Sequence, residues 1–412
     1  MNTLKKKLSR IIQKKEESPL PVTYEAVEFI QAYGLAYIDT GITSSENTKI
    51  EIECCALDNL TPSDQHSRVM LIAGSTASQM IAVYPNAGGS EMNIRFGSSW
   101  VPSSAVVNIY EKIKVTFDNS SLTVEQNGVS TTDTYTAGTI DPNTIYLFKV
   151  AYNSNYWATG RVYSLKIWDG QTLVRDMVPC YRKTDRELGM YDFVSATFFR
   201  NAGMGSFRAK YLDFPTGYTQ CDYIQSSRAQ AINMNFKFSN KHRIDMNMMP
   251  LSGSSGNVQG FFGAWDGTNN TYIGKGNANT WRLYYAHGSS SYQTYIDMTS
   301  EAAFNTLKAI CADRTSNFYI NASSETLTNH TYTNGATCYM FARHNKNSSL
   351  DEPAIFAGIR MYNCVVYYNG SKYRTYEPCY RTSDNVPGLY DLNNDVFYPS
   401  FTGTDFTKGS DL

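Results

Sequence analysis

The sequence lacks the features that define several large classes of protein. Its 36 basic and 37 acidic residues nearly cancel, so no chain-wide charge would attract nucleic acid or an anionic membrane. No stretch approaches the ~20 apolar residues of a membrane-spanning helix, and no apolar run of a secretory signal follows the basic start. We therefore expect no nucleic-acid partner, no membrane insertion and synthesis in a cytoplasm.

Common signatures of metal sites and catalysis are also missing. The eight cysteines form no C-x-x-C pair and no regular spacing, which argues against a disulfide scaffold. The five histidines are scattered without the H-E-x-x-H spacing, and neither G-x-S-x-G nor a P-loop occurs. Residues 266–270 carry oxygens that suit Ca²⁺, but they lack the rest of a ligand loop and are better explained as a turn. We predict no metal ligand, no cofactor and no catalytic residue.

Aromatic residues and glycine are abundant. The 31 Tyr, 20 Phe and 28 Gly, set beside short runs of Thr, Val and Ile, favour strands separated by tight turns. Residues 49–54 and 112–117 alternate between polar and apolar side chains, as in a sheet with one solvent-exposed face. Residues 118–121 and the pair Asn127-Gly128 have the composition of hairpin turns. The sequence therefore predicts an all-β protein.

A long internal repeat predicts two related domains. Residues 179–192 recur at 378–391 with a constant offset, and both copies read Pro-Cys-Tyr-Arg, then Asp, then Gly-(Met/Leu)-Tyr-Asp. At the starts of the copies, Phe29-Ile30-Gln31 pairs with Tyr223-Ile224-Gln225. We divide the chain into a basic segment 1–21, a first copy 22–208 and a second copy 209–412.

We expect the similarity between the two copies of the repeated block to reflect the needs of the fold rather than a chemical function. Pro179 suits an edge or the start of a strand, and Gly189 suits a turn. Cysteines in such strands usually behave as small buried hydrophobic residues. We expect structural roles for Cys180, Arg182, Asp185, Tyr191 and Asp192.

The repeated block also carries a family resemblance. Together with residues 160–168, Gly-Arg-Val-Tyr-Ser-Leu-Lys-Ile-Trp, it resembles the closing strands of laminin-G-like domains in the concanavalin A-like jelly-roll superfamily. The opening residues 29–41 look like the first strand of those domains. The second copy lacks a clear match to Tyr-Ile-Asp-Thr-Gly at 37–41 and has Ala-Ile-Asn-Met at 231–234 instead. The resemblance implies two tandem jelly-roll β-sandwiches behind a short N-terminal helix. Such modules are frequent in tailed-phage virion proteins and in surface proteins of gut bacteria.

The N-terminal segment is predicted to be an amphipathic helix. A helix of this length is marginal in water, so docking onto a partner or self-association is expected to order it. The alternative is a frayed, solvated tail. One apolar face, surrounded by lysine and arginine, is formed by Leu4, Leu8, Ile11 and Ile12.

Aromatic side chains in polar loops indicate candidate sugar-binding positions. A sugar ring presents C–H faces that stack on an indole or a phenol, while Asn, Asp and Ser bond its hydroxyls. The alternative is that these rings cap the edges of the sandwiches. The candidates are Tyr156 and Trp157 in the first copy, and Trp265, Trp281 and Tyr285 in the second.

These features, with the resemblance, lead to a functional hypothesis. We expect a non-enzymatic bacteriophage virion protein, such as a head or tail fibre, spike or decoration subunit, that binds host surface glycans. The expected partners are other virion proteins, contacted by the N-terminal segment, and further copies of the chain. A bacterial surface protein that binds carbohydrate or mediates adhesion is the first alternative.

A diverged glycoside hydrolase is the second alternative. Glu51 and Glu53 share one face of a predicted strand, and glycosidases use two carboxylates that flank the scissile bond. Hydrolases of this superfamily carry a Glu-x-Asp-x-x-Glu pattern, which residues 51–56 do not match. The comparable segment 241–245 of the second copy has no acid pair. The sequence therefore favours binding over hydrolysis.

Overall fold

The computed structural model describes most of the chain after residue 19. The described residues are 20–57, 71–73, 79–85, 90–149, 159–251, 258–276, 282–288, 293–298, 308–312, 317–321, 323–326, 328, 331–346 and 351–412. In these ranges every regular element is a strand. No helix long and apolar enough to cross a membrane occurs in them. The helix predicted from Leu4, Leu8, Ile11 and Ile12 lies outside the described residues.

The first half of the chain contributes strands β1 to β16. Their bounds are β1 (Tyr24–Tyr33), β2 (Ile38–Thr43), β3 (Thr48–Ala56), β4 (Leu71–Ala73), β5 (Met80–Pro85), β6 (Met92–Gly97), β7 (Ser99–Pro102), β8 (Ile113–Phe117), β9 (Ser121–Gln126), β10 (Val129–Thr134), β11 (Thr144–Leu147), β12 (Thr159–Asp169), β13 (Thr172–Arg182), β14 (Glu187–Asp192), β15 (Thr197–Arg200) and β16 (Arg208–Tyr211).

The second half contributes strands β17 to β35. Their bounds are β17 (Tyr218–Gln220), β18 (Ile224–Gln225), β19 (Ile232–Asn233), β20 (His242–Pro250), β21 (Gln259–Trp265), β22 (Asn270–Lys275), β23 (Arg282–His287), β24 (Gln293–Asp297), β25 (Lys308–Ala312), β26 (Asn317–Ile320), β27 (Ser323–Thr326), β28 (Tyr339–Met340), β29 (Arg343–Lys346), β30 (Asp351–Ala354), β31 (Ile359–Tyr368), β32 (Ser371–Arg381), β33 (Pro387–Asp391), β34 (Val396–Pro399) and β35 (Thr407–Lys408).

The strand order shows that the two halves share one topology. The first half has a large sheet, β10-β9-β8-β3-β12-β1-β13-β14-β15, and a small sheet, β2-β11-β4-β5-β6-β7. The second half repeats this arrangement as β27-β26-β25-β20-β31-β32-β33-β34 and β19-β28-β21-β22-β23-β24. Each large sheet packs on its small sheet through a continuous apolar core. The predicted all-β fold of two tandem sandwiches is confirmed.

Local sequence patterns explain the strands at the centre of the first sandwich. Along β3, side chains alternate between the core and the outer face, and Ile50 and Ile52 are fully buried. At the β9–β10 turn, Asn127 and Gly128 have φ values of 54° and 81°, the left-handed geometry that a two-residue hairpin requires. Both the alternation and this turn were predicted from the sequence.

The repeated proline lies inside a strand, not at the edge or start that the sequence suggested. Strand β13 pairs with β12 as far as Met177 and with β1 from Cys180 onward. Pro179 therefore occupies the point at which β13 changes its neighbour on that side, where a missing N–H removes no ladder hydrogen bond. In β32, Pro378 occupies the same point, because pairing with β31 ends at Tyr376 and pairing with β17 begins after the proline.

The repeated glycine likewise lies within a strand rather than in a turn. A Cβ at Gly189 would touch the backbone oxygen of Phe199 and come within 2.8 Å of the Phe198 ring. Gly388 in β33 has the same surroundings, with the Phe397 ring at 2.7 Å. Because each glycine has no side chain, an aromatic ring of the next strand can pack directly against its backbone.

A buried polar cluster joins the two sandwiches. The guanidinium of Arg208, in β16, is fully buried and donates from Nε to the buried carboxylate of Glu377, in β32, at 3.2 Å. Gln220 donates to the same carboxylate at 3.1 Å, and Nη1 of Arg208 reaches the Tyr33 hydroxyl at 3.3 Å. Asp222 forms a second ion pair with Arg208 at 3.2 Å. The second sandwich is therefore tied to the first by charge as well as by apolar contact.

Candidate functional site

Of the aromatic candidates, Trp265 lies at a concave surface. Strand β21 ends at this residue, a turn follows, and β22 begins at Asn270, which pairs with Trp265. Gly267, with a φ of 91°, supplies the left-handed backbone of the turn. The indole is half-buried, so one part of it packs while another part stays accessible. The hairpin thus holds an aromatic ring at the end of the small sheet of the second sandwich.

Asp266 fixes the shape of this turn. Its Oδ1 accepts hydrogen bonds from the backbone N–H of Thr268 at 2.9 Å and of Asn269 at 2.6 Å, and its Oδ2 accepts one from Gly335. Burial acts to raise the pKa of Asp266, but these N–H donors outweigh it and lower the pKa. The carboxylate is committed to the turn, as the sequence predicted for residues 266–270.

The turn borders an open pocket of about 390 Å³. Its lining combines one aromatic ring, a guanidinium and small polar groups, the mixture expected of a site for a polar ligand with an apolar face. The Oδ1 of Asn270 is buried and has no hydrogen-bond partner among the described residues. The lining residues are Trp265, Gly267, Thr268, Asn270 and Arg343.

Arg343 reaches the pocket from the β29–β30 hairpin, which has no counterpart among the described strands of the first sandwich. Strand β29 runs parallel to β21, and this pairing places Trp265 opposite Asn345. Strand β30 pairs with β29 in the antiparallel direction. The Arg343 guanidinium carbon lies 5.7 Å from the ring centres of both Trp265 and Tyr272. Burial lowers the pKa of Arg343, although a guanidinium remains charged at neutral pH.

Another candidate sugar-binding residue, Tyr285, does not line this pocket. Tyr285 is only 1% exposed and stacks on Phe318 in the core, so the expectation of an exposed ring is wrong. In β23 the inward positions are Leu283 and Tyr285, and Tyr284 faces outward beside Tyr295. Outside the described residues lie Tyr156, Trp157 and Trp281.

The two carboxylates of the predicted acid pair in the first sandwich form ion pairs with lysines. Glu51 and Glu53 share the outer face of β3, as predicted, and each forms an ion pair with a lysine of the β8 region. Lys114 contacts Glu51 at 3.0 Å, and Lys112 contacts Glu53 at 2.6 Å. Within the residues that the structure describes, no group of three or more His, Cys, Asp or Glu side chains could hold a metal ion.

Comparisons with known proteins return structures but no sequence relatives. No protein-family model matches the chain, and no curated protein matches its sequence. Domains LG4-5 of the mouse laminin α1 chain are 11% identical, with a TM-score of 0.32, over 96% of this chain and 98% of that one. The binding domain of botulinum neurotoxin DC, in complex with SialylT, is 9% identical, with a TM-score of 0.20, over 88% and 82% of the two chains. The fold described above rests on the sheet order itself.

The sequence analysis missed Arg343, although it selected Trp265. Trp265 has a local signal, because an aromatic residue next to Asp-Gly indicates an exposed turn. Arg343 has none, since only the parallel pairing of β29 with β21 brings it to the pocket. Parallel neighbours can be far apart in sequence, and residue patterns do not reveal them.

Proposed function

We propose that this chain is a non-enzymatic glycan-binding protein and that Trp265 holds a sugar ring in the pocket of the second sandwich. The observation that carries the proposal is the half-buried indole at the wall of an open pocket of about 390 Å³. An indole offers a large, rigid face with an apolar surface at low entropic cost. The C–H face of a pyranose is complementary to it.

Polar groups around the indole suit the hydroxyls of a sugar. Thr268 is exposed at the turn and offers a hydroxyl that both donates and accepts. Asn270 lines the pocket, and its unpartnered Oδ1 is an acceptor to which a ligand hydroxyl could donate. An apolar wall with a few fixed polar groups is the usual composition of small-ligand pockets.

The absence of catalysis is part of the proposal, and the ion pairs of Glu51 and Glu53 support it. A glycosidase needs one carboxyl group as an acid and a second as a base or nucleophile, both facing the substrate. Here each carboxylate is bound to a lysine ammonium on the outer face of a sheet. Neither is free to protonate a glycosidic oxygen.

At a finer level, we propose a bacteriophage virion protein, either a head or tail fibre, a spike or a decoration subunit. Two sandwiches joined by a buried polar cluster suit a projecting structural element that presents a binding surface. Residues 1–21 would attach it to other virion proteins or to further copies of the chain. A bacterial surface carbohydrate-binding protein shares the same pocket chemistry and is the competing proposal.

The glycan proposal is tested by applying the full chain to an array of bacterial and animal glycans. Trp265→Ala should weaken each observed interaction by roughly 10-fold or more, because truncated aromatic anchors commonly cost over 1.4 kcal/mol. Trp100→Ala is the matched control, since Trp100 is 47% exposed and lies in β7 of the first sandwich. Unchanged binding by the Trp265 variant, or no glycan bound by the native chain, would refute the proposal.

A further inference from the structure

We infer that the ligand of the Trp265 pocket is an acidic sugar, whose carboxylate or sulfate group pairs with Arg343. The inference rests on the proposed function and adds a ligand class to it. Arg343 carries a positive charge into the pocket, and the free atoms of its guanidinium lie near the indole.

Arg343 brings to the pocket a positive charge that no acidic side chain of the described residues balances. Three other largely buried arginines, Arg175, Arg243 and Arg374, each form an ion pair with a carboxylate. Arg343 forms no ion pair with any described Asp or Glu, and Asp266 of the same pocket is used by backbone N–H groups. A half-buried cation attracts an anion strongly, because little water is present to screen it.

The guanidinium is held with one edge free. Its Nε donates to the Oδ1 of Asn345 at 3.0 Å, which fixes the orientation of the group. Neither Nη atom of Arg343 has a hydrogen-bond partner in the described part of the chain, and neither is among its buried unsatisfied atoms. Two parallel Nη–H donors match the two oxygens of a carboxylate or of a sulfate. The free edge is therefore a preformed receptor for such a group.

The anion receptor and the stacking surface are close enough to serve one ligand. The guanidinium carbon of Arg343 lies 5.7 Å from the centre of the Trp265 ring, and both residues line the same pocket. A sugar ring stacked on the indole would place a substituent of the ring beside the guanidinium. A neutral sugar would leave this charge partly desolvated and unpaired, so the site discriminates against it.

The test is titration of the full chain with lactose, with 3′-sialyllactose and with lactose 3′-sulfate, together with an array of matched neutral and acidic glycans. We expect the best acidic member of a matched set to bind roughly 10-fold or more tightly than its neutral counterpart. Preference for the carboxylate, for the sulfate or for both supports the inference and identifies the anion.

Variants separate this inference from the proposed function. Arg343→Gln should abolish the preference for acidic glycans and spare binding of neutral ones, whereas Trp265→Ala should weaken both. Arg343→Lys should retain part of the preference, because the charge remains and the paired donors are lost. Arg360→Gln is the matched control: Arg360 also stacks on a ring, that of Tyr223, and donates from Nε to an amide, that of Gln225, but it does not line the pocket.

Salt provides a readout that needs no variant. Raising the ionic strength of the buffer should weaken binding of the acidic glycans to the native chain and leave binding of the neutral ones unchanged. Equal affinity of the native chain for neutral and acidic members, with binding still dependent on Trp265, would overturn this inference and leave the proposed function standing. No binding of any glycan would overturn both.

Discussion

Arg208 of the first sandwich and Glu377 of the second form an ion pair, with 3.2 Å between Nε and Oε2, and neither side chain is exposed to solvent. The Glu377 carboxylate has been removed from water and depends on Arg208 for compensation, whereas Arg208 also pairs with Asp222 at 3.2 Å. The remaining carboxylate oxygen, Oε1 of Glu377, has no hydrogen-bond partner among the described residues. The contact between the sandwiches is therefore sensitive to the charge of a single carboxyl group.

Glu377 should make the stability of the protein depend on pH. Burial raises the pKa of Glu377 to about 7, although Arg208, Gln220 and Lys372 act in the opposite direction. Between the usual pKa of a glutamate and this value, the folded chain holds a proton that the unfolded chain has released. The free energy of unfolding from this group therefore falls as pH rises through that window, by at most about 1.4 kcal/mol per pH unit.

Glu377→Gln should remove this contribution, because an amide stays neutral at every pH. Urea unfolding at several pH values from 5 to 8 should show the variant gaining stability relative to the native chain as pH rises. Glu46→Gln, at an exposed position, is the control and should follow the native chain. Parallel pH profiles for Glu377→Gln and the native chain would contradict the assignment.

Loss of the other partner should cost more. Arg208→Met leaves the Glu377 carboxylate buried without its cation, and breaking a buried pair in this way commonly costs about 3–5 kcal/mol. The change should be largest above pH 7, where the carboxyl group of Glu377 is ionised. Arg182→Met, which breaks a more exposed pair with Asp185, should have a much smaller effect. Urea midpoints for the two variants provide the comparison, and equal losses would argue against a role for burial.

The close packing of β15 against Gly189 gives a third prediction. Gly189→Ala forces a methyl group against the backbone of Phe199 and the Phe198 ring, so we expect destabilisation of about 1–3 kcal/mol. Gly128→Ala is the matched control, because its Cβ would meet nothing within 4 Å and only its positive φ opposes the change. Thermal unfolding of the two variants measures the difference. A smaller loss at Gly189 than at Gly128 would show that the sheet adjusts easily.

The proposed role of residues 1–21 in assembly is tested by size-exclusion chromatography with light scattering. The full chain should be oligomeric, and a chain lacking residues 1–21 should be monomeric, because the apolar face of Leu4, Leu8, Ile11 and Ile12 would be gone. Leu8→Glu in the full chain provides a check that does not shorten the protein. Two monomeric species would remove self-association from the proposal and leave docking onto another protein.

Much of the fold follows from local patterns in the sequence, whereas the site depends on distant contacts. Alternation in residues 49–54 and the turn at Asn127 were readable because each involves neighbours in the chain. Tyr285 was misread because β23 presents two adjacent tyrosines, and only strand pairing decides which one faces the core. Pro179 was placed at an edge because a sequence does not show where a strand changes its neighbour. Arg343 was missed because the sequence does not show that β29 pairs with β21.

The eight cysteines have a practical consequence for work on this protein. All of them are buried and unpaired, and burial raises the pKa of Cys180 and of Cys221 to about 12. Thiols that are protonated and enclosed react slowly with maleimides, since the thiolate is the nucleophile. A cysteine introduced at an exposed position such as Val106 or Leu212 would be the one reactive thiol of the folded chain. Fluorophores or surface linkers can therefore be attached at a chosen point without first deleting any natural cysteine.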